Sequence, residues 1–107
     1  MFVHKCTFYR LEGETWKRYP VKGVLWQDTK GYNLEKSRYK DSNSLKLYIP
    51  LTADFKPRRE DLVVKGIIDY EIQKKPSELM ERYDVRTITT VDLYDYGGLQ
   101  HYEAGGR

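Results

Sequence analysis

Leu45-Lys46-Leu47-Tyr48-Ile49-Pro50-Leu51 is the stretch from which the fold is read. Leu45, Leu47, Ile49 and Leu51 fall on one side of an extended chain, and Lys46, Tyr48 and Pro50 on the other. That strict alternation is the signature of a half-buried strand. Pro50 has no N–H to give to a ladder, so the strand ends there or lies at an edge. Leu62 to Ile72 repeats the pattern after a polar connection, Thr52 to Asp61, that contains Pro57. Leu62, Val64, Gly66, Ile68, Tyr70 and Ile72 share one face; Val63, Lys65, Ile67, Asp69 and Glu71 share the other. Gly66, without a side chain, marks a place for this strand to bend.

Working outward, Val3 to Leu11 and Thr15 to Tyr19 read as a hairpin around Glu12-Gly13-Glu14. Pro20 interrupts the ladder or marks an edge, and Val21 to Trp26 forms a further strand with a bulge or close approach at Gly23. Asp28 to Ser44 is polar and basic, and reads as a long loop or a poorly packed strand pair. The spacing predicts one short helix over residues 76–83. Pro76 suits its first turn, Glu78 suits the dipole, and Leu79, Met80 and Tyr83 form its inward stripe. Val85 to Tyr94 and Leu99 to Ala104 read as strands joined through Gly97-Gly98, followed by a flexible Gly105-Gly106-Arg107 end. The expected class is mainly β: a small antiparallel barrel or sandwich with that one helix and the 28–44 loop.

The chain has 107 residues, which fits one domain over residues 1–107. Ten tyrosines, two tryptophans and three phenylalanines exclude a disordered chain and favour pleated surfaces. No apolar run reaches the roughly 18 residues of a membrane span, so no membrane partner is expected. Met1-Phe2-Val3-His4-Lys5-Cys6 is not followed by the apolar stretch of a signal peptide. Cys6 is the one cysteine and cannot form an internal disulfide.

The net charge of +3 is unevenly spread. Residues 1–29 carry +2, residues 30–65 carry +4 and residues 66–107 carry −3. Such a split fits an ordinary solvated surface, or two opposed surfaces meeting head to tail. Lys30, Lys36, Arg38 and Lys40 interleave with Tyr32 and Tyr39, which makes these six the candidate interface or DNA-facing residues.

Chemistry-bearing patterns are sparse. His4 and Cys6 share a strand face and could join His101 at a metal, but three such groups fall short of a closed zinc set. Glu60/Asp61 reads as a solvated turn, and Asp92 and Asp95 point to opposite faces of a strand. No serine lies in a nucleophile elbow and no phosphate loop is present. No catalytic residue, metal or cofactor is therefore expected.

Four stretches resemble an uncharacterised family of small structural proteins of phages and prophages of Gram-positive bacteria, encoded near head–tail connector genes. They are Thr7-Phe8-Tyr9-Arg10 with Trp16 and Val21-Lys22-Gly23-Val24-Leu25-Trp26; Ser44-Leu45-Lys46-Leu47-Tyr48-Ile49-Pro50; Glu60-Asp61-Leu62-Val63-Val64-Lys65-Gly66; and Thr87-Ile88-Thr89-Thr90-Val91-Asp92 continuing through Asp95-Tyr96-Gly97-Gly98 to His101-Tyr102-Glu103-Ala104-Gly105-Gly106-Arg107. Tyr102 replaces the family's usual Trp, Ala104 its Val, and the connection over residues 52–59 is short. The resemblance implies a non-enzymatic virion protein, a head-completion or stopper-like connector. Such a protein would assemble as a homo-oligomeric ring between portal or adaptor and tail proteins, in contact with packaged DNA. It would reside in the virion and, during assembly, in the host cytoplasm. The alternative expectation from the residues is a small basic barrel that binds single-stranded nucleic acid.

Overall fold

A computed structural model describes residues 3–28, 45–94 and 100–107. Strand β1 covers His4–Glu12 and turns at Gly13-Glu14 into β2, Thr15–Asp28. Then come β3 (Leu45–Pro50), a 3₁₀ turn (Leu51–Ala53), β4 (Leu62–Lys65), a single helical turn α1 (Ser77–Met80), β5 (Arg86–Tyr94) and β6 (His101–Gly106). The strands close in the order β1-β2-β3-β6-β5-β4, antiparallel at every seam. Of the two architectures open from the alternation, the chain adopts the barrel.

Inward side chains fill the lumen: Cys6 and Phe8 from β1, Val24 and Trp26 from β2, Leu45, Leu47 and Ile49 from β3, Val63, Ile88 and Ala104 from the rest. Six strands enclose only enough space for such a core, so the barrel is solid. Outward-facing Tyr9, Leu62 and Val64 are buried as well, because the chain from Gly66 to Val85 crosses back over the outside of β1 and β4. Ile72 and Leu79 are the buried anchors of this second core, with Ile68, Tyr70 and Tyr83 packed around them. Both faces of β4 are thus covered, which explains the unbroken Leu62-Val63-Val64 run.

Some sequence expectations are narrowed and others change. Of the two readings of Pro20, the edge holds: it pairs opposite Thr7, where β2 has a neighbouring strand on one side only among the described residues. Gly23 is the extra residue of a bulge, at φ +77°, since His4 faces Val24 while Lys5 faces Lys22. The predicted strand over 62–72 stops at Lys65. Gly66 takes φ +90°, and the Thr7 hydroxyl then replaces the ladder by donating to Gly66 O (2.7 Å) and accepting from Ile68 N (3.1 Å). The inward–outward alternation nevertheless persists through Ile72, because this segment lies flat on the second core.

The helix is shorter than 76–83. Only Leu79 is buried in it, and Met80 is 49% exposed, because adjacent residues point about 100° apart on one turn. Pro76 offers no capping side chain. Instead the Glu78 carboxylate accepts from the N–H groups of Gln73 (2.9 Å), Lys74 (2.7 Å) and Lys75 (3.1 Å) and from the Tyr70 hydroxyl (3.1 Å). Gly105-Gly106 is no flexible end: both glycines are buried in β6 between β3 and β5. A Cβ on Gly106 would stand 2.9 Å from Thr87 O. Asp28, expected to open the loop, belongs to β2; residues 29–44 lie outside the described residues.

Candidate functional site

The six residues singled out from sequence, Lys30, Tyr32, Lys36, Arg38, Tyr39 and Lys40, all lie outside the described residues, as do Asp95 and Gly97-Gly98. The described surface offers two other features.

The first follows from unequal strand lengths. β4 pairs β1 only over Cys6–Tyr9, and β3 pairs β2 only over Leu25–Asp28. Arg10–Lys17 therefore overhangs the barrel, laddered only to itself through Arg10↔Lys17, Leu11↔Trp16 and Glu12↔Thr15. Leu11 on this arm is 53% exposed. Between the arm and the 58–61 turn runs a groove of about 330 Å³, with Leu11 and Trp16 on one side and Arg58, Arg59 and Glu60 on the other.

Arg10 and Asp61 lock its floor. Arg10 Nε and Nη2 donate to Asp61 Oδ1 (3.0 Å) and Oδ2 (2.6 Å), and Nη2 also donates to Lys56 O (2.7 Å). The guanidinium lies 4.9 Å from the Phe55 ring centroid and 5.6 Å from that of Tyr19. Its hydrogen bonds to Asp61 hold it protonated beyond its ordinary range. Asp61 also takes the Arg58 N–H (3.0 Å), and the turn is tied to β5 by Glu60 N to Ile88 O and Ile88 N to Asp61 O, both 2.8 Å. The expectation of a solvated Glu60/Asp61 turn is thus corrected: Asp61 is 3% exposed. Arg58 and Arg59 are exposed and have no ion-pair partner among the described residues.

The second feature is a hollow of about 240 Å³ on the outer face of β3, β6 and β5, lined by Lys46, Thr90, Asp92, Tyr94 and Glu103. Partial burial pushes the Glu103 carboxyl up, but hydrogen bonds from Tyr94 and Tyr48 and the charge of Lys46 outweigh it and leave the group below its usual range. Lys46 Nζ lies 3.5 Å from it. His101 stands beside both tyrosines, 5.5 Å from the Tyr48 ring and 5.3 Å from that of Tyr94. Asp92 is exposed and makes no ion pair among the described residues.

The sequence-derived metal set is not assembled. His4 Nδ1 accepts the Trp26 N–H (3.0 Å), Cys6 points into the core with its thiol pushed up to about 12 by burial, and His101 stacks on the outer wall. No three His, Cys, Asp or Glu side chains among the described residues converge for a cation. Arg86, 2% exposed, is bound to Asp28 and Asp84. Asp61, Glu78 and Glu103 are likewise each committed to donors on neighbouring segments, so their chemistry is that of fastening. Sequence reasoning missed the groove because its parts come from residues 10–16 and 58–61; the one signal was an exposed Arg58-Arg59 pair after Pro57.

No curated protein and no solved structure matches this chain. One family model matches residues 1–107, and by that match the chain belongs to DUF6751, a family of unknown function.

Proposed function

We propose that this protein is a non-enzymatic structural component of a phage particle. In this reading it docks in a ring at the head–tail junction, between portal or adaptor and tail proteins. The observation that carries the proposal is the overhanging arm. On this arm Leu11 is left exposed and Trp16 only partly covered by the outer core, beside two arginines without ion-pair partners among the described residues. An apolar side chain left uncovered on a rigid body is what a docking protein needs, since it buries only against a neighbour. The family resemblance of the four sequence stretches supplies the phage setting.

The test is protein mass spectrometry of purified, DNA-filled particles from an induced lysogen that carries this gene. The chain is expected among the particle proteins, at a copy number in fixed ratio to the tail. Its absence from intact particles removes the proposal. A second reading has its own support: Trp16 beside Arg58 and Arg59 combines a stacking ring with phosphate-binding charge. It predicts binding to single-stranded oligonucleotides that weakens steeply with salt. Glu60 in the same groove opposes it, since its carboxylate repels a phosphate chain.

A further inference from the structure

The two surface features stand in a definite relation. In the closed order β1-β2-β3-β6-β5-β4, the β1–β2 pair and the β5–β6 pair are separated by β3 on one side and β4 on the other, so they form opposite walls. β4 runs against both β1 and β5, so β1 and β5 point toward the same rim. The connection from Leu51 to Asp61 follows that rim, tied to β6 by Leu51 N to Gln100 O (3.2 Å), to β5 by Glu60 N to Ile88 O (2.8 Å) and to β1 by Arg10. Its 58–61 turn presents Arg58 and Arg59; the outer face of β5 and β6 presents Asp92, with Glu103 and Tyr94 behind it. Each wall also leaves one leucine half exposed, Leu11 at 53% and Leu93 at 51%.

We propose that the hollow over Asp92 and Glu103 receives the Arg58-Arg59 turn of a second copy of this chain. The inference rests on the ring reading above and names the contact that would build it. A guanidinium suits the hollow on two counts: it pairs with the Asp92 carboxylate, which makes no ion pair among the described residues, through parallel N–H donors, and it packs flat on a tyrosine ring. The contact joins unlike surfaces, so each copy gives its turn to the next and receives one from the last. Repetition of a head-to-tail contact closes a ring when the rotation permits.

Cysteine trapping tests this directly. The native thiol of Cys6 is buried and pushed up to about 12, so it does not compete. Arg59→Cys and Thr90→Cys are both at exposed positions, and they spare Arg58 and Asp92. Mixed together under mild oxidant, the two single variants are expected to give a disulfide-linked dimer that neither gives alone. In the mixture, Asp92→Lys in the Thr90→Cys chain should abolish the dimer, and adding Arg58→Glu to the Arg59→Cys chain should restore it. The proposal is overturned if the mixture gives no more dimer than each variant alone. It also falls if Lys22→Cys, on β2 away from both features, links as readily. Protection of the Arg59→Cys thiol by single-stranded DNA but not by excess wild-type chain overturns it too. Failure of the mixed dimer for a chain present in purified particles removes this contact only; absence from the particles removes the reading beneath it.

Discussion

Cutting the Arg10 side chain back strands Asp61 inside the barrel rim without its cation. Truncating one partner of a buried ion pair costs about 3–5 kcal/mol, far more than losing a surface pair. Arg10→Ala should lower the free energy of unfolding by about 3 kcal/mol, read from urea melts. The same change at Arg18, whose bond to Glu71 (2.7 Å) is largely solvated, should cost under about 1 kcal/mol. Glu78 gives a pH signature. The N–H of Gln73 above all, with those of Lys75 and Lys74 and the Tyr70 hydroxyl, draws its carboxyl from 4.5 to about 2. A carboxyl lower in the folded than in the unfolded chain stabilises fully above about pH 4.5 and ceases to as pH falls toward 2. Unfolding free energy should therefore fall across that window, and Glu78→Gln should flatten the slope. None of these pairings was legible in the sequence. Arg10 and Asp61 are 51 positions apart, and Glu60-Asp61 beside Arg58-Arg59 looks like any solvated turn until the barrel brings β1 over it.

At the scale of elements, β6 shows what pattern reading detects and what it misses. Leu45–Pro50 was legible because large side chains alternate with polar ones, and that contrast survives folding. Gly105 and Gly106 carry no side chain and so no contrast, yet they form the most crowded part of a strand. Gly106 is required for space and not for a left-handed dihedral. Gly106→Ala should cost about 1–3 kcal/mol by forcing β5 and β6 apart. A thermal melt of that variant set against Gly23→Ala, where the cost is about 1–2 kcal/mol of dihedral strain at the bulge, separates the two origins. Ala at 106 should also speed amide exchange at Thr87 and Arg107, which bond each other through both N–H groups (3.0 and 3.1 Å); Ala at 23 should not. The segment 66–72 errs the other way. Its alternation is real, but it reports burial on Tyr9 and Leu62, and past Gly66 N its hydrogen bonds go to the side chains of Thr7, Tyr9 and Arg18 where a strand's would go to a neighbouring backbone.

For the molecule as a whole, two cores on either side of one wall imply two levels of opening. The inner core is shared by all six strands, whereas the outer one depends on a 20-residue excursion held by Ile72, Leu79 and a few hydrogen bonds. Leu79→Ala should cost about 2–4 kcal/mol locally. In hydrogen exchange, amides over residues 66–85 should lose protection while those of β3 and β6 hold. Equal loss in both regions would mean that the barrel and its cover open as one unit. The barrel itself was legible as one of two β architectures, because short alternating strands, bends at glycine and a single helix restrict the options. The candidate site was not, since the residues chosen from sequence lie outside the described ones and the groove is built from the crossing of distant segments.

The place of β6 between β3 and β5 also bears on how the chain is made. A ribosome delivers residues 45–50 well before residues 101–106 and residues 86–94 just before them, so β3 waits longest for the strand that joins the two walls. Synthesis from the N-terminus can therefore finish the β1–β2 hairpin early, but it cannot shut the barrel until β6 emerges. In the interval β3 shows a bare, hydrogen-bonding flank, the kind of edge on which an incomplete sheet pairs with another chain.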